Sequence, residues 1–236
     1  MNGILALVLA ASAEEGDAGL DFELFRPHGD TYGYAVVPGA STLQNLQLGA
    51  GLWFDYSDDP VVLVDAAGNR VSPNGTDADG LVNSRAALHA QVGLGFSRYG
   101  SVSVDVPLVL SQDGFVAPTL ADPSPGTLAP TGVGDIVLTP KAVVLDRDAF
   151  PLGIALAVPI SVPSGDPAAF LGEGAVSAAP QAILEWSDEK IHTRAYKFRA
   201  AAMGGVLLRE PARLQDARFG NAFTYGVAAG YRVISP

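Results

Sequence analysis

The chain has no cysteine among its 236 residues, which excludes thiolate catalysis and sulfur-ligated metal sites. Histidine is scarce as well. His28, His89 and His192 are scattered with no pair at helical ligand spacing, so the sequence argues against zinc. Cations are few, 14 Lys and Arg against 25 Asp and Glu, and the net charge of −11 argues against nucleic acid and against a polybasic membrane anchor. No run of about 20 uninterrupted apolar residues exists, so no helical membrane span is expected. Nucleotide and hydrolase motifs are missing too: Gly165-Asp166-Pro167 and Gly172-Glu173-Gly174 are not followed by Gly-Lys-Ser/Thr, and there is no Gly-x-Ser-x-Gly elbow. The oxygen-rich stretch of Asp65, Asn69, Asn74, Asp77 and Asp79 lacks the alternating carboxylates of a calcium loop and reads as turn composition. The expectation is a protein that is not an enzyme, with no catalytic residue, no cofactor and no metal.

What the sequence does have is 48% apolar residues against 17% charged, spread over short segments, with 27 Gly and 17 Pro. That is a vocabulary of strands and turns. Residues Ile4 to Ala11 form a short apolar run, and Ala11-Ser12-Ala13 offers a small-x-small cleavage site before Glu14. Met1-Asn2-Gly3 carries no Lys or Arg, so either the start lies upstream or the signal is an unusual one. Residues 1–13 are read as the remnant of a signal peptide and 14–41 as an acidic, Gly-rich periplasmic lead-in.

From residue 42 to 236 the dominant signal is period-two alternation. In Arg85 to Phe96 the even positions are Ala86, Leu88, Ala90, Val92, Leu94 and Phe96, whereas the odd ones include Arg85, His89, Gln91, Gly93 and Gly95. Successive strand side chains point to opposite faces, so one face is wholly apolar and the other small or polar. The segments 46–56, 101–110, 152–162 and 223–233 alternate likewise; 134–145 and 175–187 fit more loosely, and 190–209 is weakest.

A soluble β-sandwich also alternates. Three features favour a barrel in lipid. The candidate strands run about ten residues, the length of a tilted bilayer crossing. Their second face is crowded with Gly, Ala, Ser and isolated charges, as a narrow lumen requires. Long connections (57–82, 112–132, 163–174, 210–220) alternate with short ones at Arg98–Gly100, Asp146–Ala149 and Ser187–Glu189, the pattern of external loops and periplasmic turns. On this orientation Phe54, Tyr56, Phe223 and Tyr225 lie near the external rim, and Phe96, Trp186 and Tyr231 near the periplasmic rim, as an aromatic girdle. Arg85, His89, Asp105, Asp135, Lys141, Glu185, Lys197, Arg199 and Arg232 fall on the lumen side. They would either line a pore and tune its selectivity or pair with one another and plug the barrel.

Phe25-Arg26-Pro27, Gly33-Tyr34, Gly51-Leu52-Trp53-Phe54-Asp55-Tyr56 with Asp59-Pro60-Val61, Gly132-Val133-Gly134-Asp135-Ile136 with Lys141, and Val162-Pro163-Ser164-Gly165-Asp166 through Phe170-Leu171-Gly172 occur in this order. Together they resemble the N-terminal barrel of large OmpA-family outer-membrane proteins, over roughly residues 22 to 234. In that family a periplasmic peptidoglycan-binding domain follows the barrel. The resemblance implies that this chain is part of a larger barrel, about two-thirds of it, touching peptidoglycan only through a C-terminal domain beyond Pro236.

The sequence therefore predicts an all-β, up-and-down antiparallel transmembrane barrel of about eight strands in the cell outer membrane. Its partners would be the lipid bilayer and small solutes. The expected function is an envelope anchor with passive permeation of small solutes. The alternatives are an outer-membrane transporter for hydrophobic compounds and a secreted soluble β-sandwich binding module.

Overall fold

The computed structural model describes residues 19–23, 25–29, 32–65, 67–71, 80–115, 126–147, 149–150, 152–188, 197–214 and 217–233. The signal-peptide reading, His192 and the acidic loop positions Asn74, Asp77 and Asp79 lie outside them. Eight strands form one continuous antiparallel path: β1 (Leu48–Val61), β2 (Val82–Ser97), β3 (Gly100–Gly114), β4 (Ile136–Leu145), β5 (Leu152–Ala157), β6 (Gln181–Ser187), β7 (Phe198–Leu207) and β8 (Ala222–Tyr231). Each pairs with its neighbours in chain order, and the sheet curls into a half-barrel. Among the described residues β1 and β8 do not pair with each other; they are the two edges of the sheet.

The alternation has its expected structural meaning. In β2 the odd residues Arg85, Ala87, His89, Gln91, Gly93 and Gly95 are all buried, while Val92 and Phe96 on the even face are exposed. The same holds along β1, where Leu48, Leu52, Phe54 and Tyr56 are exposed, and along β8, where Phe223, Tyr225, Val227 and Tyr231 are exposed. The polar face is inside and the apolar face outside, the inverse of a soluble sheet. A soluble sandwich needs a second sheet packed on the apolar face of the first, about 10 Å away. The two other sheets among the described residues are two-stranded hairpins within the connections, Leu63–Val64 with Arg70–Val71 and Ala212–Leu214 with Ala217–Phe219.

Three details depart from the sequence reading. The strand expected over 152–162 is interrupted at Val158-Pro159, because proline has no N–H to give to the ladder. A short strand, Ile160–Val162, then resumes and pairs with the start of β4. The turn expected at Ser187–Glu189 is in fact the connection 188–197. Asp188 closes it by accepting hydrogen bonds from the N–H groups of Lys197 and Phe198. Finally, the described residues between 19 and 44 do not lie apart from the sheet: they run across its concave face.

Candidate functional site on the concave face

The inner segment begins at the long-loop end, where the Gly19 N–H donates to Glu173 O at 2.8 Å. From there the described residues of the segment cross the sheet. Phe22 stacks edge-on against Phe170 and Phe219, with centroids 5.3 and 6.4 Å away. These rings join Leu20, Val61, Leu81, Val82, Leu128 and Ala212 in an apolar cluster that roofs this end. Phe25 follows, 6.0 Å from the Trp53 ring and 5.9 Å from His89. The segment reaches the short-turn end where Thr42 Oγ1 donates to Arg98 O and Leu46 N to Gly95 O. Gly95 permits this approach: a Cβ there would stand 2.1 Å from Gln44 O and 2.4 Å from Leu43 O.

The segment pairs little of its own backbone, as at His28 N with Ala35 O and Tyr34 N with Val37 O, and a buried unpaired N–H or C=O costs about 1–3 kcal/mol. The wall strands supply the partners. Gln91 Nε2 donates to Pro27 O at 2.7 Å. Arg199 donates to Tyr32 O and Gly33 O, both at 2.6 Å, and its guanidinium lies 4.1 Å over the Tyr34 ring. Glu185 Oε2 accepts from Ala40 N at 2.7 Å, and Lys141 Nζ donates to Ser41 O at 2.6 Å. Lys141, Glu185 and Arg199, anticipated as pore lining or as mutual salt bridges, chiefly hold main chain. Arg199 and Glu185 also approach each other, at 3.8 Å.

Two further lumen-side candidates fasten the loop 163–174. Asp135 Oδ1 accepts from Ser164 N and Gly165 N at 3.0 and 2.9 Å, and its Oδ2 accepts from Glu173 N at 2.8 Å. Gly172 must lack a side chain, because a Cβ would meet Asp135 Oδ1 at 2.3 Å. Arg85, 1% exposed, donates to Gln112 Oε1 and to Phe170 O. Phe170 has a left-handed backbone at φ 57°, a strained conformation for a residue with a side chain. It is held there by Arg85 on its carbonyl and by its ring in the roof cluster. The motifs around 132–136 and 162–172, two of those that resemble the OmpA-type barrel, therefore form a loop clasp.

The remaining candidates divide. Lys197 is exposed in the 188–197 connection, and Arg232 follows the end of β8 with its N–H on Lys197 O. Both belong to the sheet's end and not to its wall. His89 and Asp105 pair with each other through their side chains. His89 is 1% exposed; its Nδ1 is 2.9 Å from Asp105 Oδ2 and its Nε2 is 3.6 Å from Asp55 Oδ2. Glu23 of the inner segment completes the group. Its carboxyl is pushed up to about 7 by burial, with the neighbouring Asp55 carboxylate adding to the rise. Glu23, Gln91 and Gln112 were not singled out from sequence. Asp55 and Gln91 carried the signal, as polar residues on the small face of their strands; Glu23 sits in a stretch with no periodicity to place it.

Fold and site define a β-barrel-type sheet whose inner face is polar and filled by the chain's own N-terminal segment. Residues 72–236, more than two-thirds of the sequence, match the family described as "Putative MetA-pathway of phenol degradation", and the chain belongs to that family. The match names this family and not the OmpA-type barrels that the strand-end motifs resemble. No curated protein matches the chain.

Proposed function

We propose that this protein is an integral outer-membrane barrel that serves the passage of small aromatic or similarly hydrophobic compounds across the cell envelope, without bond-making chemistry of its own. The observation that carries the membrane half of this reading is the inverted burial. His89, Arg85 and Glu185 are each 1% exposed, whereas Val227, Leu48 and Phe54 stand 81, 72 and 64% exposed on the other face. In water that arrangement would leave a large apolar surface uncovered; in a bilayer it is the stable one. Phe96, Trp186, Phe198 and Tyr231 gather at the short-turn end and Phe54, Tyr56, Phe223 and Tyr225 toward the other, where aromatic side chains favour the interfaces.

The substrate half is supported by membership of a family named for phenol degradation and by the filled lumen, which suits a specific route better than a wide aqueous pore. A shallow, open apolar depression on the outward face, between Leu152, Trp186, Ala200 and Val227, gives a small ring compound a surface to lie against. The test combines fractionation with uptake. The protein should partition with the outer membrane and show heat-modifiable gel mobility, and cells carrying it should accumulate labelled phenol and alkylphenols faster than cells without it. Recovery in the soluble extract would refute the membrane reading. Membrane insertion with unchanged uptake would leave the second reading, an envelope anchor, which the closely packed concave face favours.

A further inference from the structure

At the cluster around His89, atoms from three residues on different elements (Glu23 Oε1, Asp55 Oδ2 and His89 Nε2) are buried together without a hydrogen bond among the described residues. We propose that Glu23, Asp55 and His89 form a binding site for a divalent transition-metal ion, which ties the inner segment to β1 and β2.

Geometry supports this first. One ligand atom from each of the three residues lies within 4.8 Å of the others. An ion with bonds of about 2.0–2.2 Å in tetrahedral geometry holds its ligand atoms roughly 3.3–3.6 Å apart, so a contraction of at most about 1.5 Å closes the site. The second observation is the imidazole itself. His89 is 1% exposed, and its Nε2 makes no hydrogen bond among the described residues. On the other side of the ring, Nδ1 is 2.9 Å from Asp105 Oδ2. A carboxylate there orients the ring so that Nε2 faces Asp55 and Glu23, where a bound ion would take the place of any proton that Nε2 carries. That is the carboxylate–histidine–metal arrangement in which an outer carboxylate fixes the tautomer and orients the ring. Asp55 Oδ2 and Glu23 Oε1 are likewise buried without a hydrogen bond among the described residues.

Charge balance points the same way. Three carboxyl groups (Glu23, Asp55, Asp105) surround one imidazole, and the nearby guanidinium of Arg85, hydrogen-bonded to the neutral Gln112 and Phe170 O, offsets only part of their charge. A divalent cation neutralises such a cluster, and closely placed buried carboxylates are otherwise costly. One imidazole with carboxylate oxygens suits zinc or manganese better than calcium or magnesium, which favour all-oxygen shells. The consequence is structural: Glu23 lies on the inner segment, Asp55 on β1 and His89 on β2, so the ion would fasten the segment to the wall.

The experiment uses the full chain refolded in detergent micelles, stripped with EDTA and titrated with zinc and, separately, manganese. Calorimetry and metal analysis after desalting should give one ion per chain, and zinc-edge X-ray absorption should show one imidazole. Glu23→Gln, which alters no strand, and Asp55→Asn should each weaken binding by at least about tenfold, with heat-modifiable mobility confirming that the barrel still folds. No retained ion, or binding unchanged in both variants, would overturn the proposal. The wild-type absorption spectrum decides by itself if a variant misfolds: a shell without imidazole nitrogen would also overturn it.

Discussion

The carboxylate of Glu185 accepts the Ala40 N–H at 2.7 Å across 145 positions of sequence. A strand residue on the polar face of the sheet is thereby joined to a segment with no regular structure, and the same acid stands 3.8 Å from Arg199, which holds Tyr32 and Gly33. The inner face of this protein is organised as a set of such grips on main chain.

Glu185→Ala should therefore cost more than a surface substitution. It leaves the Ala40 N–H and part of the Arg199 guanidinium unpaired, a loss of about 2–3 kcal/mol. Denaturant unfolding in micelles would measure it, and limited proteolysis should cut within residues 19–44 before the strands. A midpoint equal to wild type would mean that the segment is held by other contacts.

Asp135→Asn tests the loop clasp. Asp135 meets three backbone N–H groups, so an amide that replaces one acceptor oxygen with a donor must set N–H against N–H. The expected loss is about 2–3 kcal/mol, with early protease cleavage in 163–174. Asp166→Asn should be mild by comparison, because Asp166 caps a three-residue helical turn through the single Ala168 N–H. Equal effects from the two would refute the clasp.

Gly95→Val and Gly204→Ala make a pair. A side chain at Gly95 collides with the main chain of Leu43 and Gln44, whereas nothing lies within 4 Å of a Cβ at Gly204. The first should unseat the end of the inner segment, seen as faster hydrogen exchange over residues 40–47. The second should leave exchange unchanged.

Val92→Arg separates a lipid-facing surface from a wet one. Val92 is 57% exposed, with Ala50 and Val104 as its cross-strand neighbours. At mid-bilayer the substitution should cost about 2–4 kcal/mol; on a surface in water it should stay within about 0.5 kcal/mol. Folding into lipid vesicles against urea measures the difference, and the smaller value would refute insertion.

Alternation places Gln91 on the polar face, where an added cation is expected to be far milder than one at Leu94 on the apolar face. The structure adds a cost to that expectation. Gln91 is 4% exposed and donates to Pro27 O, so Arg should displace the segment at this point and cost about 1–3 kcal/mol. Polarity on one face of a strand says that the face avoids lipid, and is silent on what stands opposite it.

The sequence by itself determined the strands, their antiparallel succession and which side of each is apolar. Those properties are local, because side-chain direction alternates residue by residue and short connections force neighbouring strands to pair. It also marked Arg85, His89, Lys141, Glu185 and Arg199 as facing inward. Tertiary structure alone decided what these groups do. Residues 19–44 have no periodicity that could assign them a place, and their partners are far away in the chain: Arg199 is 167 positions from Tyr32, and Lys141 is 100 from Ser41. Closing such distances depends on the curl of the whole sheet, which sets where a buried N–H or carbonyl finds its partner, and no local pattern encodes that.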